Sequence, residues 1–266
     1  MAFPFIRAEE RLKRRRTLKL GVVGVPGIGK TSLIRTLPAD RTLHIEIEDG
    51  DLAVINDGGD AFHPATWPEF RNLVTLLAGP SATAAAGEAY SEEKYRILCD
   101  DQGDMTLIDR YEYVFIDSLS ALSRLCFAWC KTQPQAFSEK TGKPDTRGAY
   151  GLLANEMINA ITILQHMQNR HVIYTVILNE KVGEKNEKSL ELQMEGSKTT
   201  AEFLGVVDVI ATMTLQPSPS GPKRVLITRQ DNLLGLPAKD RSGRLDSTEE
   251  PHLDRLIAKC IGQASN

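Results

Sequence analysis

A glycine-rich stretch near the N-terminus offers the clearest chemistry in this sequence. Its glycine spacing lets the chain wrap with backbone N–H groups pointing inward, and a lysine and a hydroxyl follow directly. The N–H groups and the ammonium suit phosphate oxygens, and the hydroxyl suits Mg²⁺. The stretch matches GxxxxGK[ST] and reads Gly24-Val25-Pro26-Gly27-Ile28-Gly29-Lys30-Thr31, followed by Ser32. We therefore predict a phosphate-binding loop at residues 24–31, called the phosphate loop below, with ATP and Mg²⁺ as its ligands.

A carboxylate at the end of an apolar run supplies a second candidate ligand. Residues 113–116 read Tyr-Val-Phe-Ile and predict a buried strand that ends at Asp117. A carboxylate in that place can hold Mg²⁺ or its waters, although Asp and Ser also favour the cap of a following helix. Because Asp117 follows a phosphate loop in the chain, we interpret it as a metal ligand together with Thr31.

Hydrolysis also needs a general base that activates water, and neither Asp117 nor the residue after it is a candidate for this role. Asp117 is followed by Ser118, which argues against the Asp-Glu arrangement of many hexameric motor ATPases. Glu48 lies just past the predicted strand at 42–47, where it can face a γ-phosphate. An equally simple interpretation is a solvated acidic turn, formed by Glu46, Glu48, Asp49 and Asp51.

Strands and helices alternate along the chain and would position these residues. Strands are predicted at 18–23, 42–47, 113–116, 172–178, 206–213 and 224–228, and helices at 30–37, around 68–77, and at 119–131, 151–168 and 253–261. This alternation predicts an α/β fold, with a mainly parallel sheet flanked by helices on both faces. Ligands of such sheets bind at the carboxyl ends of the strands, where the phosphate loop and Asp117 fall.

The bulk composition sets limits on partners. The 266 residues carry a net charge of -3, so any DNA site must be local. The longest apolar runs fall short of the roughly 20 residues that span a bilayer, so we expect no membrane partner and a cytoplasmic protein. We predict a basic N-terminal tail at 1–17 and one ATPase domain at 18–266.

Five segments together resemble the RecA/RadA recombinase core, and most closely the RecA-like ATPases of bacteriophages grouped with single-strand annealing proteins. They are residues 24–31, 43–51 (LHIEIEDGD), 113–122 (YVFIDSLSAL), 176–180 (VILNE) and 238–243 (AKDRSG). The resemblance implies a RecA-like P-loop NTPase that serves phage or prophage DNA recombination or annealing. It also implies that the protein binds single-stranded DNA as an oligomer, either a ring or a filament.

The resemblance also implies roles for particular residues. Glu48 matches the family's water-activating Glu. Residues 176–180 are similar to the family's sensor strand, and RecA has Gln at the position that aligns with Glu180. An acidic residue there would repel the nucleotide, so Asn179 is the expected γ-phosphate sensor. Lys239 and Arg241 resemble a Lys-x-Arg-x-Gly motif whose cations reach the γ-phosphate of a neighbouring subunit. From the residues alone, these two cations fit an exposed basic turn equally well.

Two polar stretches, 132–147 and 181–200, are predicted as loops and correspond in position to the family's DNA-binding loops. Their candidate phosphate contacts and stacking surfaces are Lys140, Lys143, Arg147, Lys181, Lys185, Lys188, Lys198, Phe137 and Tyr150. The same stretches carry Glu139, Asp145, Glu184, Glu187, Glu191 and Glu195. Composition alone would make them ordinary solvated loops, so the DNA prediction depends on the resemblance.

Two other classes of function remain compatible with the sequence. A small-molecule kinase shares the phosphate loop and the sheet, but such kinases usually need a lid with several arginines, and the sequence shows no such cluster. A nucleotide-gated assembly or signalling module without a DNA role fits the weakly basic loops. Phosphate release in the absence of an acceptor, stimulated by single-stranded DNA, would separate these classes.

Overall fold

A computed structural model describes residues 5–13, 16–48, 50, 52, 54, 59–182 and 188–262 of the chain. Within these residues the strands are β1 Lys19–Gly24, β2 Thr42–Glu46, β3 Asp60–Phe62, β4 Tyr113–Asp117, β5 His171–Val182, β6 Lys188–Leu192, β7 Val209–Gln216, β8 Lys223–Ile227, β9 Lys239–Asp240 and β10 Thr248–Glu249. The α-helices are α1 Ala8–Lys13, α2 Trp67–Ala78, α3 Glu92–Gln102, α4 Thr106–Asp109, α5 Leu119–Cys130, α6 Thr146–His166, α7 Ser197–Val206 and α8 Leu253–Ile261.

The strands form a mixed sheet in the order β10-β8-β7-β1-β5-β4-β2-β3. The neighbours from β7 to β3 all pair in parallel. Antiparallel pairs add β8 to β7, β10 to β8, β6 to β5 and β9 to β7. The predicted α/β fold with a mainly parallel sheet is therefore confirmed.

Apolar side chains cover both faces of the sheet. On one face, residues of α2, α5 and α6 pack on alternate side chains of the central strands. On the other face, Leu33, Leu37 and the apolar side of α8 pack on Leu20 and Val22 of β1. β1 is buried along its whole length, as is usual for a central parallel strand. Its last residue, Gly24, is also the first residue of the phosphate loop.

Several predicted elements differ from the observed ones. The helix predicted at 30–37 is a 3₁₀ helix, Thr31–Thr36, in keeping with its short length before Pro38. Helix α6 begins at Thr146 rather than at 151, because the Asp145 side chain accepts a hydrogen bond from the Arg147 N–H at 3.0 Å and caps it. Arg147 and Tyr150 are therefore helical residues.

Most described residues of the loop predicted at 181–200 belong to strands or to a helix. β5 continues to Val182 and pairs in antiparallel with β6, and α7 then starts at Ser197. The missed signal was the alternation of polar residues with Leu190 and Leu192, which is typical of a half-buried strand. Within the described residues, none of the helices is both long and apolar enough to cross a membrane.

Candidate active site

The phosphate loop leaves the carboxyl end of β1 in the middle of the sheet. Gly27 and Gly29 have φ angles of 75° and 104°, a region that side chains other than glycine rarely adopt. The loop can wrap in this way because glycine stands at both positions. The spacing read from the sequence thus corresponds to a real backbone requirement.

Lys30 lies inside the loop with only 8% of its surface exposed. Its Nζ donates to the carbonyl oxygens of Gly24 at 2.8 Å and Val25 at 3.1 Å. Burial lowers the pKa of Lys30, and the negative charges of Asp117 and Glu48 oppose that shift. The ammonium is therefore positioned within the loop, with two carboxylates near enough to influence it.

Thr31 and Asp117 meet across the sheet, as their predicted shared role requires. The Thr31 hydroxyl donates to Oδ2 of Asp117 at 2.5 Å. The other carboxylate oxygen accepts a hydrogen bond from Thr175, a fully buried residue of β5. A hydroxyl and a carboxylate are the hard oxygen ligands that suit Mg²⁺, so the residues present fit this ion.

Thr175 is a functional candidate that the sequence analysis missed. It lies on the strand between those of the phosphate loop and Asp117, and it fixes the orientation of the Asp117 carboxylate. A single hydroxyl within the apolar run Val-Ile-Tyr-Thr-Val-Ile-Leu was the available signal. Only the strand order shows which carboxylate it contacts.

The acidic residues that follow β2 separate into two environments. Glu46 is 3% exposed, lies opposite Asp117 in the strand register, and accepts a hydrogen bond from the Gly50 N–H at 2.7 Å. Its other oxygen is 3.6 Å from Nδ1 of His63. A solvated acidic turn is therefore the wrong description for Glu46, whereas Asp49 and Asp51 lie outside the described residues.

Glu48 has a more open environment, with about half of its side chain exposed. Its carboxylate pairs with Arg124 of α5, a partner 76 positions away that the sequence analysis did not anticipate. Glu48 also influences Lys30 electrostatically, so its charge lies toward the phosphate loop. This position is compatible with the predicted base, and Arg124 is placed to orient it.

Asn179 lies two residues beyond Ile177, which pairs with Gly24 at the start of the phosphate loop. Side chains alternate along β5, which places Asn179 on the same face as Thr175 and Glu180 on the opposite face. Asn179 and Glu180 are both exposed and line the same cavity of about 340 Å³, next to Arg124, so only the alternation along the strand distinguishes them. The strand geometry thus favours Asn179 over Glu180 as the residue facing the nucleotide side.

Lys239 and Arg241 lie at the opposite, amino end of the sheet, where β9 pairs with the start of β7. Both contact the carboxyl end of α7. Lys239 Nζ donates to the carbonyl oxygens of Leu204, Gly205 and Val207 at 2.8, 3.0 and 2.7 Å. Arg241 donates to those of Val206 and Gly205 at 3.0 and 2.5 Å.

Within the described subunit neither cation is near the phosphate loop, and a role in a neighbouring subunit stays a prediction.

The predicted DNA contacts divide between two regions. On the β5–β6 hairpin, Lys181 pairs with Glu191 at 3.2 Å, Lys185 lies outside the described residues, and the Lys188 side chain is not described. Around the start of α6, Phe137 and Tyr150 are 40% and 39% exposed. The exposed cations near them in sequence are Lys140, Lys143 and Arg147.

Comparison with protein families identifies an AAA domain. The AAA domain family matches residues 16–242, a range that includes the phosphate loop, Glu48, Asp117, Asn179 and Arg241. No curated protein matches the sequence. The family match agrees with the geometry of the phosphate loop and identifies the fold as that of a P-loop ATPase-type domain.

Proposed function

Since this chain belongs to the AAA domain family, we propose that it binds ATP with Mg²⁺ and hydrolyses it as an oligomer on single-stranded DNA. The contact between Thr31 and Asp117, beside the buried Lys30 ammonium, is the observation that carries the ATPase proposal. Lys30 and Thr31 are adjacent residues of the phosphate loop, and Asp117 ends β4, so the three groups converge at the carboxyl end of the sheet. Their convergence matches what a Mg²⁺-nucleotide requires.

Each group would have a defined task. Lys30 and the backbone N–H groups of the phosphate loop would hold the phosphates, and Thr31 and Asp117 would hold Mg²⁺. Mg²⁺, when bound, supplies positive charge that offsets the charge on the phosphates. Glu48 would accept a proton from the attacking water, and Arg124 would keep its carboxylate in position.

An ATPase assay separates this proposal from a small-molecule kinase. We expect purified protein to release phosphate from ATP with Mg²⁺ and no added acceptor, and single-stranded DNA to increase the rate. A folded protein that transfers phosphate only to an added small molecule would contradict the proposal. Hydrolysis that DNA leaves unchanged would instead favour a nucleotide-gated assembly module.

The proposed DNA site is the surface at the start of α6. What supports it is the combination of two partly exposed rings, Phe137 and Tyr150, with exposed cations on the same segment. Tyr150 also stacks on Phe127 of α5 with ring centroids 4.4 Å apart, so its ring is held in place. A ring that is held in place, on a segment that also carries exposed cations, suits an unpaired nucleic-acid strand.

Anisotropy of a labelled single strand tests this surface. Arg147→Ala should weaken DNA binding and reduce its salt dependence, while ATP hydrolysis without DNA stays at the wild-type rate. Arg96→Ala is a matched control, because Arg96 is an exposed arginine of α3 that pairs with Glu92 elsewhere on the surface. Equal DNA affinity for both variants and the wild type would contradict the proposed site.

Arg241 is the residue proposed to reach the nucleotide of a neighbouring subunit. About half of its side chain is exposed, which leaves it accessible to a neighbouring subunit despite its contacts with α7 and its ion pair with Asp208 at 3.7 Å. Lys239 is less available because three carbonyl oxygens already surround its ammonium. We therefore assign the proposed action in trans mainly to Arg241.

A further inference from the structure

The β7–β8 hairpin forms a side wall next to the phosphate loop. β7 runs parallel to β1 with Val23 opposite Thr212, so Met213 reaches the level of Gly24. A methyl group placed on Gly24 would lie 3.1 Å from the Met213 carbonyl oxygen, which shows how closely the two segments approach. β7 continues to Gln216, about 10 Å further at the usual rise per residue. The hairpin thus extends alongside the loop.

Arg224 projects from this wall onto the loop. It lies on β8 opposite Leu215, beyond the level at which β1 ends. A methyl group placed on Gly29 would be 3.4 Å from Nε and 3.5 Å from Cζ of Arg224. The guanidinium therefore lies beside Gly29, the loop residue that directly precedes Lys30.

The charge of Arg224 has no counterpart in the part of the chain that the structure describes. There its guanidinium makes no hydrogen bond or ion pair and stays exposed, whereas Arg71, Arg110 and Arg124 each pair with a carboxylate. An exposed arginine on a hairpin is often merely solvated. Here, however, its guanidinium lies against a loop whose geometry fits phosphate, and a planar guanidinium is well suited to phosphate oxygens.

We propose that Arg224 binds an α- or β-phosphate oxygen of the nucleotide from the side of the β7–β8 hairpin. The backbone of a phosphate loop surrounds the α- and β-phosphates, and its lysine reaches toward the γ-phosphate. The position of Arg224 next to Gly29 therefore puts its guanidinium on the side of the loop that would hold the phosphates shared by ATP and ADP. This inference rests on the proposed function, because it concerns the same nucleotide site.

Calorimetric titration with ATP and with ADP, both with Mg²⁺, tests the assignment. Arg224→Ala should weaken the binding of both nucleotides by a similar factor, about tenfold, as expected for loss of one charge-assisted contact. Arg224→Lys should recover part of the affinity, since it keeps the charge but loses the planar donor pair. Lys223→Ala is the matched control, because its side chain points to the other face of β8 and its loss should leave both affinities unchanged.

The outcomes that overturn the assignment are distinct. Wild-type affinity of Arg224→Ala for both nucleotides, in a series where Lys30→Ala loses binding, refutes the contact and leaves the nucleotide site intact. Weaker binding of ATP alone places Arg224 at the γ-phosphate and refutes the assignment to the shared phosphates. If Lys30→Ala also binds like the wild type, the proposed function itself fails. Thermal unfolding of each variant checks that it is folded.

Discussion

The two ends of the sheet use the same kinds of side chain in different ways. At the carboxyl end, the Lys30 ammonium contacts two carbonyl oxygens of its own loop, and Thr31 and Asp117 contact each other. At the amino end, the Lys239 ammonium contacts three carbonyl oxygens near the end of α7, where backbone acceptors lack helical partners. Lys30 can exchange local partners for a ligand, whereas Lys239 holds a helix end.

The pKa does not distinguish the two lysines. Burial lowers the pKa of Lys30 and that of Lys239. What differs is the nature of the surroundings, a glycine loop with two carboxylates nearby in one case and a helix terminus in the other. The partners of the two ammonium groups, rather than their pKa shifts, distinguish the lysine proposed to bind a ligand from the lysine that contacts a helix end.

Lys30→Ala should have the most severe consequence of these changes. Removing the ammonium deletes a charge-assisted contact with phosphate, so we expect tight ATP binding to be abolished. The apolar sheet should keep the variant folded, which circular dichroism can verify. Unchanged ATP affinity in the folded variant would show that Lys30, like Lys239, does not bind the nucleotide.

Glu48→Gln should separate binding from hydrolysis at the carboxyl end. The amide cannot accept the water's proton, so hydrolysis should slow by about a hundredfold or more while ATP stays bound. Phosphate release and ATP titration measure the two properties independently. If Glu48→Gln hydrolyses ATP at the normal rate while Asp117→Asn does not, Glu48 is only a residue of the acidic turn.

Arg241 tests whether the amino end also contributes to catalysis through assembly. Arg241→Ala should leave ATP binding nearly intact and reduce hydrolysis by about tenfold or more, as expected for a cation supplied in trans. Mixing Arg241→Ala with Lys30→Ala creates interfaces with an intact phosphate loop and an intact arginine, so activity should partly return. If the mixture co-assembles and stays inactive, Arg241 supplies no cation to a neighbouring subunit and acts only within its own subunit.

The smallest expected effect is on stability. Lys239→Ala leaves carbonyl oxygens at the end of α7 without their donor, which should cost about 1–2 kcal/mol and lower Tm by a few degrees. Lys198→Ala, on an exposed position of the same helix, should leave Tm nearly unchanged. A Tm of Lys239→Ala equal to that of the control would show that the carbonyl contacts contribute little.

Features encoded by local sequence were predictable. The phosphate loop followed from glycine spacing, α8 matched its predicted range because its apolar residues recur at helical spacing, and Asp117 followed from an apolar run that ends in a carboxylate. These signals depend on neighbouring residues, and the fold does not alter them.

Contacts between distant positions were not predictable. Thr175 meets Asp117, Arg124 meets Glu48, and Arg224 meets Gly29 only because the strand order brings them together. The β5–β6 hairpin was missed because its charged residues concealed a period of two. One sequence without the topology contains no signal for such pairs.

Titration of ATP into the wild-type protein, with Mg²⁺ and with the metal chelated, tests whether the carboxyl end of the sheet binds a Mg²⁺-nucleotide. If the carboxyl end of the sheet is a Mg²⁺-nucleotide site, ATP should bind saturably at one site per chain, and chelation should weaken that binding because Thr31 and Asp117 lose their shared metal. If the folded protein binds no ATP under either condition, the carboxyl end of the sheet is not a nucleotide site.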